Sequence, residues 1–205
     1  IQQALSEAAR RGAVWLVGGT LPMAIEGRSD RVRNTCQVFA PDGSPAARYD
    51  KIHLFAFDNG REQYDEGRVL EAGSEPVSFV AGAHRVGLSI CYDVRFPEVS
   101  RRLVDAGADL LLVPAEWVRG PLKEHHWRTL LTARALENTV FVAAADHAPP
   151  VGVGNSMVLD PMGVELVTIG EETGVAVAHI DPHRIASVRA INPVLALRRF
   201  GTIPR

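Results

Sequence analysis

Residues 85–103, RVGLSICYDVRFPEVSRRL, decide the fold. Val86, Leu88 and Ile90 alternate toward one face and Gly87, Ser89 and Cys91 toward the other, the two-residue period of a strand. Pro97 suits the first position of a helix, Glu98 complements the positive end of its dipole, and Gly107 stops it, so a helix is predicted from Pro97 to about Ala106. Cys91 thus ends a strand beside two small residues, just before a turn and a helix N-terminus. Partial positive charge and free N–H groups at such a place favour a thiolate and a developing oxyanion. On placement alone, a buried core cysteine is the other reading.

The pattern extends outward from this stretch. PVSFVA (76–81) reads as a strand before it, and ADLLLVPAEW (108–117) as a buried strand after it. A helix is expected from near Pro121 to Asn138, with Trp127, Leu130, Leu131 and Ala135 on one face, followed by the strand VFVAAAD (140–146). GNSMVLD (154–160), VELVTI (164–169) and GVAVAHID (174–181) have the spacing of a three-strand meander, with a helix from Pro182 to about Ile191 behind them. On the upstream side, AVWLVGG (13–19) reads as a buried strand. RVRNTCQVFA (31–40) and AARYD (46–50) form a hairpin whose turn signal is Asp42-Gly43. Residues 52–75 show no sustained period and read as a long irregular stretch, the kind of loop that commonly carries function. Strands and helices alternate in the middle while hairpins flank them, so one α/β domain with both parallel and antiparallel pairing is expected.

Composition narrows the function classes. Lys and Arg number 22 against 24 Asp and Glu, too even a balance to recruit nucleic acid or anionic lipid, so a small-molecule partner is the default. The longest dense apolar stretch is broken by Asp109 and Pro114 and cannot span a bilayer. Two cysteines, Cys36 and Cys91, are too few for a disulfide scaffold and suit a reducing cytoplasm. His125 beside His126, and His179 with His183 across Pro182, lack metal-ligand spacing, so no metal or other cofactor is expected. GVGNS precedes a strand rather than opening a helix, which argues against a nucleotide-binding oxidoreductase.

Three further segments carry chemistry. In ARYDKIHLF (47–55), Lys51 sits at a strand end among apolar residues. It either holds a charge near an active-site oxygen or lays its stem on apolar surface and reaches solvent. Glu66, in REQYDEGRVLEAG (61–73), is by itself a solvated loop carboxylate. Glu116 and Trp117 end the strand after the predicted helix, and by themselves read as a rim carboxylate and a packing aromatic.

Together these segments resemble the nitrilase superfamily of carbon–nitrogen hydrolases, in its omega-amidase-like and bacterial amidohydrolase branches. YDKIHLF (49–55) and GLSICYDVRFPE (87–98) carry the family's lysine and cysteine motifs in the right order. The resemblance continues through residues 34–51, 107–117, 125–145, 154–163 and 179–199, essentially the whole chain. It implies a four-layer αββα sandwich and hydrolysis of a small amide, without a cofactor, through a cysteine thioester. Cys91 is then the nucleophile, Lys51 the oxyanion stabiliser, and the Tyr92 N–H a second oxyanion donor. Glu66 helps position substrate and lysine, and Glu116 and Trp117 are candidate substrate contacts. Arg95, Arg134 and Glu137 are structural in this reading, and Trp127 packs the sheet.

The resemblance also implies a homodimer or higher homo-oligomer, with the apolar tail 193–197 apt for the contact. It departs at one point. The family's catalytic glutamate belongs to a P-E segment upstream of the helix on which this sequence opens, and no residue here matches it. The helical pattern begins at Ile1 with no capping residue, so a single domain lacking its first strand and that glutamate is expected. Two alternatives remain: a small-molecule-binding pseudoenzyme of the same fold, and a nitrilase or acyltransferase variant.

Overall fold

A computed structural model describes residues 1–203. The middle of the chain builds a six-stranded sheet: β7 (Val77–Ala81), β8 (His84–Leu88), β9 (Leu110–Ala115), β10 (Phe141–Asp146), β11 (Met157–Leu159) and β12 (Glu165–Thr168), neighbours in that order. The pairs β8–β9 and β9–β10 are parallel, and the flanking pairs antiparallel. The second sheet is centred on β3 (Arg28–Phe39). β1 (Leu16–Val17) and β2 (Leu21–Ile25) pair successive parts of one edge, and β4 (Pro45–Asp50) pairs the other.

Burial divides along the two faces that the alternation in residues 85–91 predicts. Val86, Leu88 and Ile90 meet Cys36, Val38 and Tyr49 of the opposite sheet, closing an apolar layer between the sheets. Gly87 points the other way, where an added Cβ would lie 2.9 Å from Leu111 and 3.1 Å from Leu103, so only glycine lets helix α2 (Pro97–Asp105) pack this closely. α2 and α3 (Lys123–Asn138) cover that outer face through Val99, Leu103, Trp127, Leu131 and Ala135. Each such side chain contributes about 1.5–3 kcal/mol by leaving water. α1 (Gln2–Gly12) lies on β1 and β3, completing helix, sheet, sheet and helix as four layers.

Several local expectations are corrected. The sequence puts Ile1, Ala4, Leu5 and Ala8 at i, i+3, i+4 and i+7, one apolar face of a helix that Gly12 ends, but in α1 the inward face is Leu5, Ala8 and Ala9, whereas Ile1 is 81% exposed and Ala4 is also outward. The contact is set by Gly18, above which Leu5 packs, and by the Ser6 hydroxyl, which donates to the Gly43 carbonyl at 2.6 Å. The strand in residues 13–19 is only two residues long and half-buried, and β2 was not anticipated, because Pro22 and the polar run 26–31 mask its alternation. Residues 52–75 are less irregular than expected: β5 (Ala56–Asp58) and β6 (Gln63–Asp65) form a small hairpin leading into a 3₁₀ turn, Glu66–Arg68. GVAVAHID forms no strand. Val175 and Val177 are 93% and 86% exposed, because a strand needs a neighbour for its N–H and C=O groups and no described strand pairs with this segment. The last helix, α4 (Pro182–Ile191), falls where predicted, its N-terminus capped by the Asp181 carboxylate.

Candidate active site

Cys91 leaves β8 through Ser89 and Ile90 and opens a 3₁₀ turn, Cys91–Arg95. Its φ of 47° is a left-handed conformation rare for a side chain with a Cβ, and the surroundings hold it there. The holding group is Asp93, which is fully buried. Its Oδ2 accepts from the Ile90 N–H at 2.9 Å and the Tyr49 hydroxyl at 2.6 Å. Its Oδ1 accepts from the His53 N–H at 3.0 Å and lies 2.9 Å from His53 Nδ1. One carboxylate therefore ties the cysteine turn to residues 49–53, which carry Lys51. Burial and the Asp93 charge push the Tyr49 hydroxyl far above its usual range, so it remains a donor.

Lys51 is 2% exposed. Its backbone is fixed at both ends: its N–H donates to the Asn34 carbonyl and its carbonyl accepts from Gly73. Its ammonium meets Glu66 Oε2 at 2.6 Å, and the same oxygen accepts from the Phe55 N–H at 2.6 Å. A lysine buried this deeply would be costly without that partner. The solvent-reaching alternative for Lys51 is thereby set aside, and so is the free loop carboxylate for Glu66, whose side chain is 14% exposed.

The Cys91 thiol lies within electrostatic reach of Lys51 and Glu66. The Cys91 thiol is pushed up to about 11, chiefly by burial; Lys51 and the contact with the Glu116 carbonyl at 3.6 Å oppose the rise, and Glu66 and Asp146 add to it. Burial thus opposes the thiolate that the turn and the helix N-terminus favour on placement alone. In the 3₁₀ turn the first bond runs from the Asp93 N–H to the Ile90 carbonyl, which leaves the Tyr92 N–H without a partner inside the turn.

The cleft at Cys91 is walled by Phe55, Tyr92, Glu116, Trp117, Val118 and Lys123, with room for little more than one water molecule. A substrate must displace its rim. Larger crevices lie elsewhere, and the one over β9–β11, about 480 Å³, has chiefly apolar walls, with Asp146 and Ser156 as its polar side chains. Trp117 is buried against Trp127, and its Nε1 donates to the Lys123 carbonyl, so packing dominates its role. Glu116 is exposed and reaches Cys91 through its backbone carbonyl rather than its carboxylate. Arg134 donates to the Val94 carbonyl and pairs with Glu137, holding α3 to the cysteine turn. Phe55 and Lys123 were missed as site residues. The Lys123 ammonium stands 4.9 Å from the Phe55 ring and 5.1 Å from the Trp117 ring, and a lone lysine in GPLKE carries no signal of this in the sequence. Among the described residues, no group of three or more histidines, cysteines or carboxylates is arranged to hold a metal ion.

Such a buried lysine–carboxylate pair beside a strained cysteine turn, on two facing sheets, belongs to the cysteine hydrolases of carbon–nitrogen bonds. The carbon-nitrogen hydrolase family matches residues 1–190. The chain belongs to that family, the nitrilase superfamily of enzymes that hydrolyse C–N bonds of small amides. It is 45% identical over 162 residues to a deaminated glutathione amidase of Escherichia coli, covering 78% of this chain and 60% of that one. It is 37% identical over 205 residues to an omega-amidase of Mus musculus, covering 96% and 72%. Among solved structures it resembles the C. elegans NitFhit protein, with a TM-score of 0.89, 35% identity and coverage of 97% and 50%. It also resembles an amidase from Nesterenkonia, with a TM-score of 0.72, 31% identity and coverage of 84% and 63%. That structure shows the acetamide moiety of fluoroacetamide added covalently at the active site cysteine. The chain thus spans half to three-quarters of the length of these relatives.

Proposed function

We propose that these residues form the nucleophile and oxyanion half of an amidase that cleaves a small amide through a thioester on Cys91. The observation that carries this is the Lys51–Glu66 pair, 2.6 Å long and buried beside a cysteine held in a left-handed turn. An amide carbonyl is a weak electrophile, so attack by sulfur needs charge waiting for the oxygen. The Lys51 ammonium and the Tyr92 N–H supply it, each worth roughly 3–4 kcal/mol in a dry site. Glu66 holds the ammonium in place. Glu116 and Trp117 shape the pocket wall, through a carbonyl and through packing. Collapse of the tetrahedral adduct expels the amine and leaves the acyl group on sulfur, and water then frees the acid.

Proton transfer is the step these residues supply least well. Glu66 is occupied by Lys51 and Phe55, and Asp146 by backbone N–H groups. That observation favours the second reading, a small-molecule-binding protein of the same fold. Ammonia release from a panel of small primary amides separates the two. Release at a rate proportional to enzyme supports the amidase, and none from any amide, with amide binding retained, supports the binder. The first arm is the expected one for a protein that supplies an acid–base carboxylate.

The setting is proposed on similar grounds. Two cysteines, neither in a disulfide, suit a reducing cytoplasm. Among the described residues, no helix is long and apolar enough to cross a membrane. Leu197, Phe200 and Ile203 are 68%, 91% and 87% exposed, apolar surface that a second copy of the chain would cover as a homodimer. Sedimentation at micromolar concentration is expected to show at least a dimer, and a monomer there would count against it.

A further inference from the structure

Asp146 ends β10 on the side of the sheet where Cys91 lies, and nothing above gives it a role. Its Oδ1 accepts from the Trp117 N–H at 2.6 Å and its Oδ2 from the Val153 N–H at 3.0 Å. Its own N–H donates to the Ser156 hydroxyl at 2.9 Å. One carboxylate therefore reinforces the junction of two loops, after β9 and after β10, which a single antiparallel bridge between Val118 and Gly152 also joins, the Val153 N–H being shared between Asp146 and the Trp117 carbonyl. The residue before Trp117 is Glu116, whose carbonyl accepts from the Cys91 thiol.

The choice of residue is costly. Burial pushes the Asp146 carboxyl up to about 6, opposed only by backbone N–H groups, and no cation pairs with it among the described residues. A neutral side chain could satisfy one N–H without that cost, but only a carboxylate presents acceptors alone to both. Local rules broken at a cost tend to mark functional sites.

We propose that Asp146 is a positioning residue of this site, pinning the backbone at 117 and 153 so that the Glu116 carbonyl meets the Cys91 thiol. This rests on the reading of Cys91 as the nucleophile. In Asp146→Asn the amide oxygen keeps one N–H while its NH₂ faces the other, donor against donor; Asp146→Ala removes both bonds.

The test uses 4-nitrophenyl acetate, whose leaving group needs no proton, and iodoacetamide, which reads thiolate directly. Acylation of Cys91 is expected to slow by about ten- to a hundred-fold in either variant, because the thiol and its surroundings move out of register. The midpoint of the iodoacetamide pH profile is expected to move downward, because the Asp146 charge opposes thiolate formation. Slower acylation with an easier thiolate is a combination that mere loosening of the fold does not give. Acylation within two-fold of the parent, or an unmoved alkylation midpoint, would overturn the proposal. So would failure of both variants to fold, which would assign the carboxylate to the scaffold. If the parent itself is not acylated at Cys91, the amidase reading fails instead, and the two failures remain distinct.

Discussion

Cys91→Ala is expected to remove all acyl transfer to the protein and, where an acid–base carboxylate is supplied, to lower amide turnover by about 10⁴-fold or more, to background. The size follows from the site. Cys91 is the one thiol in its cleft, whose other walls offer only the weaker nucleophiles Tyr92, Glu116 and Lys123, and the second cysteine, Cys36, is fully buried between the sheets with its thiol pushed up to about 12. The fold should survive. Alanine has to adopt the same φ of 47°, but the bonds that hold the turn belong to Asp93 and not to the cysteine. Intact mass after exposure to an acyl donor, with urea unfolding as a control for folding, checks both halves. Full turnover by the alanine variant would refute the mechanism.

Lys51→Ala is expected to slow acylation by about 100-fold or more through lost oxyanion stabilisation. Unlike Cys91→Ala, it should also cost stability. Removing the ammonium leaves Glu66 only 14% exposed with no cation, and breaking such a pair from one side costs about 3 kcal/mol or more. Glu66→Gln is the milder change, since its amide can still accept from Phe55 or Lys51. Its rate should fall less than that of Lys51→Ala, with the protein still folded. Stopped-flow acylation and urea midpoints on the three proteins give the order parent, Glu66→Gln, Lys51→Ala. A Lys51→Ala variant that acylates normally would mean that the buried pair serves only packing.

Much of this was legible in the sequence where period and punctuation agree. Val86, Leu88 and Ile90 alternate, Pro97 and Gly107 bracket a helix, and the structure follows both. Cys91 and Lys51 were named from their motifs, and the structure brings Lys51 onto Glu66 as the resemblance implied. What a linear reading could not give is the state of each group. A helix N-terminus argues for a thiolate, yet burial, with Glu66 and Asp146 adding to it, pushes the thiol the other way, and those carboxylates come from parts of the chain distant in sequence. Asp146 is one acidic residue after an apolar run, and its significance depends on the 117 and 153 backbones folding over it. The segment at 174–181 failed for a related reason. Its alternation fits a strand, but alternation does not supply a neighbour to pair with.

The most direct test of the account is intact-mass spectrometry of the protein acid-quenched during reaction with 4-nitrophenyl acetate, followed by peptide mapping. The account predicts one acetyl group per chain, carried by the peptide containing Cys91 and released by neutral hydroxylamine as a thioester is. Acetylation spread over other side chains, or none on Cys91 in folded protein, would contradict it.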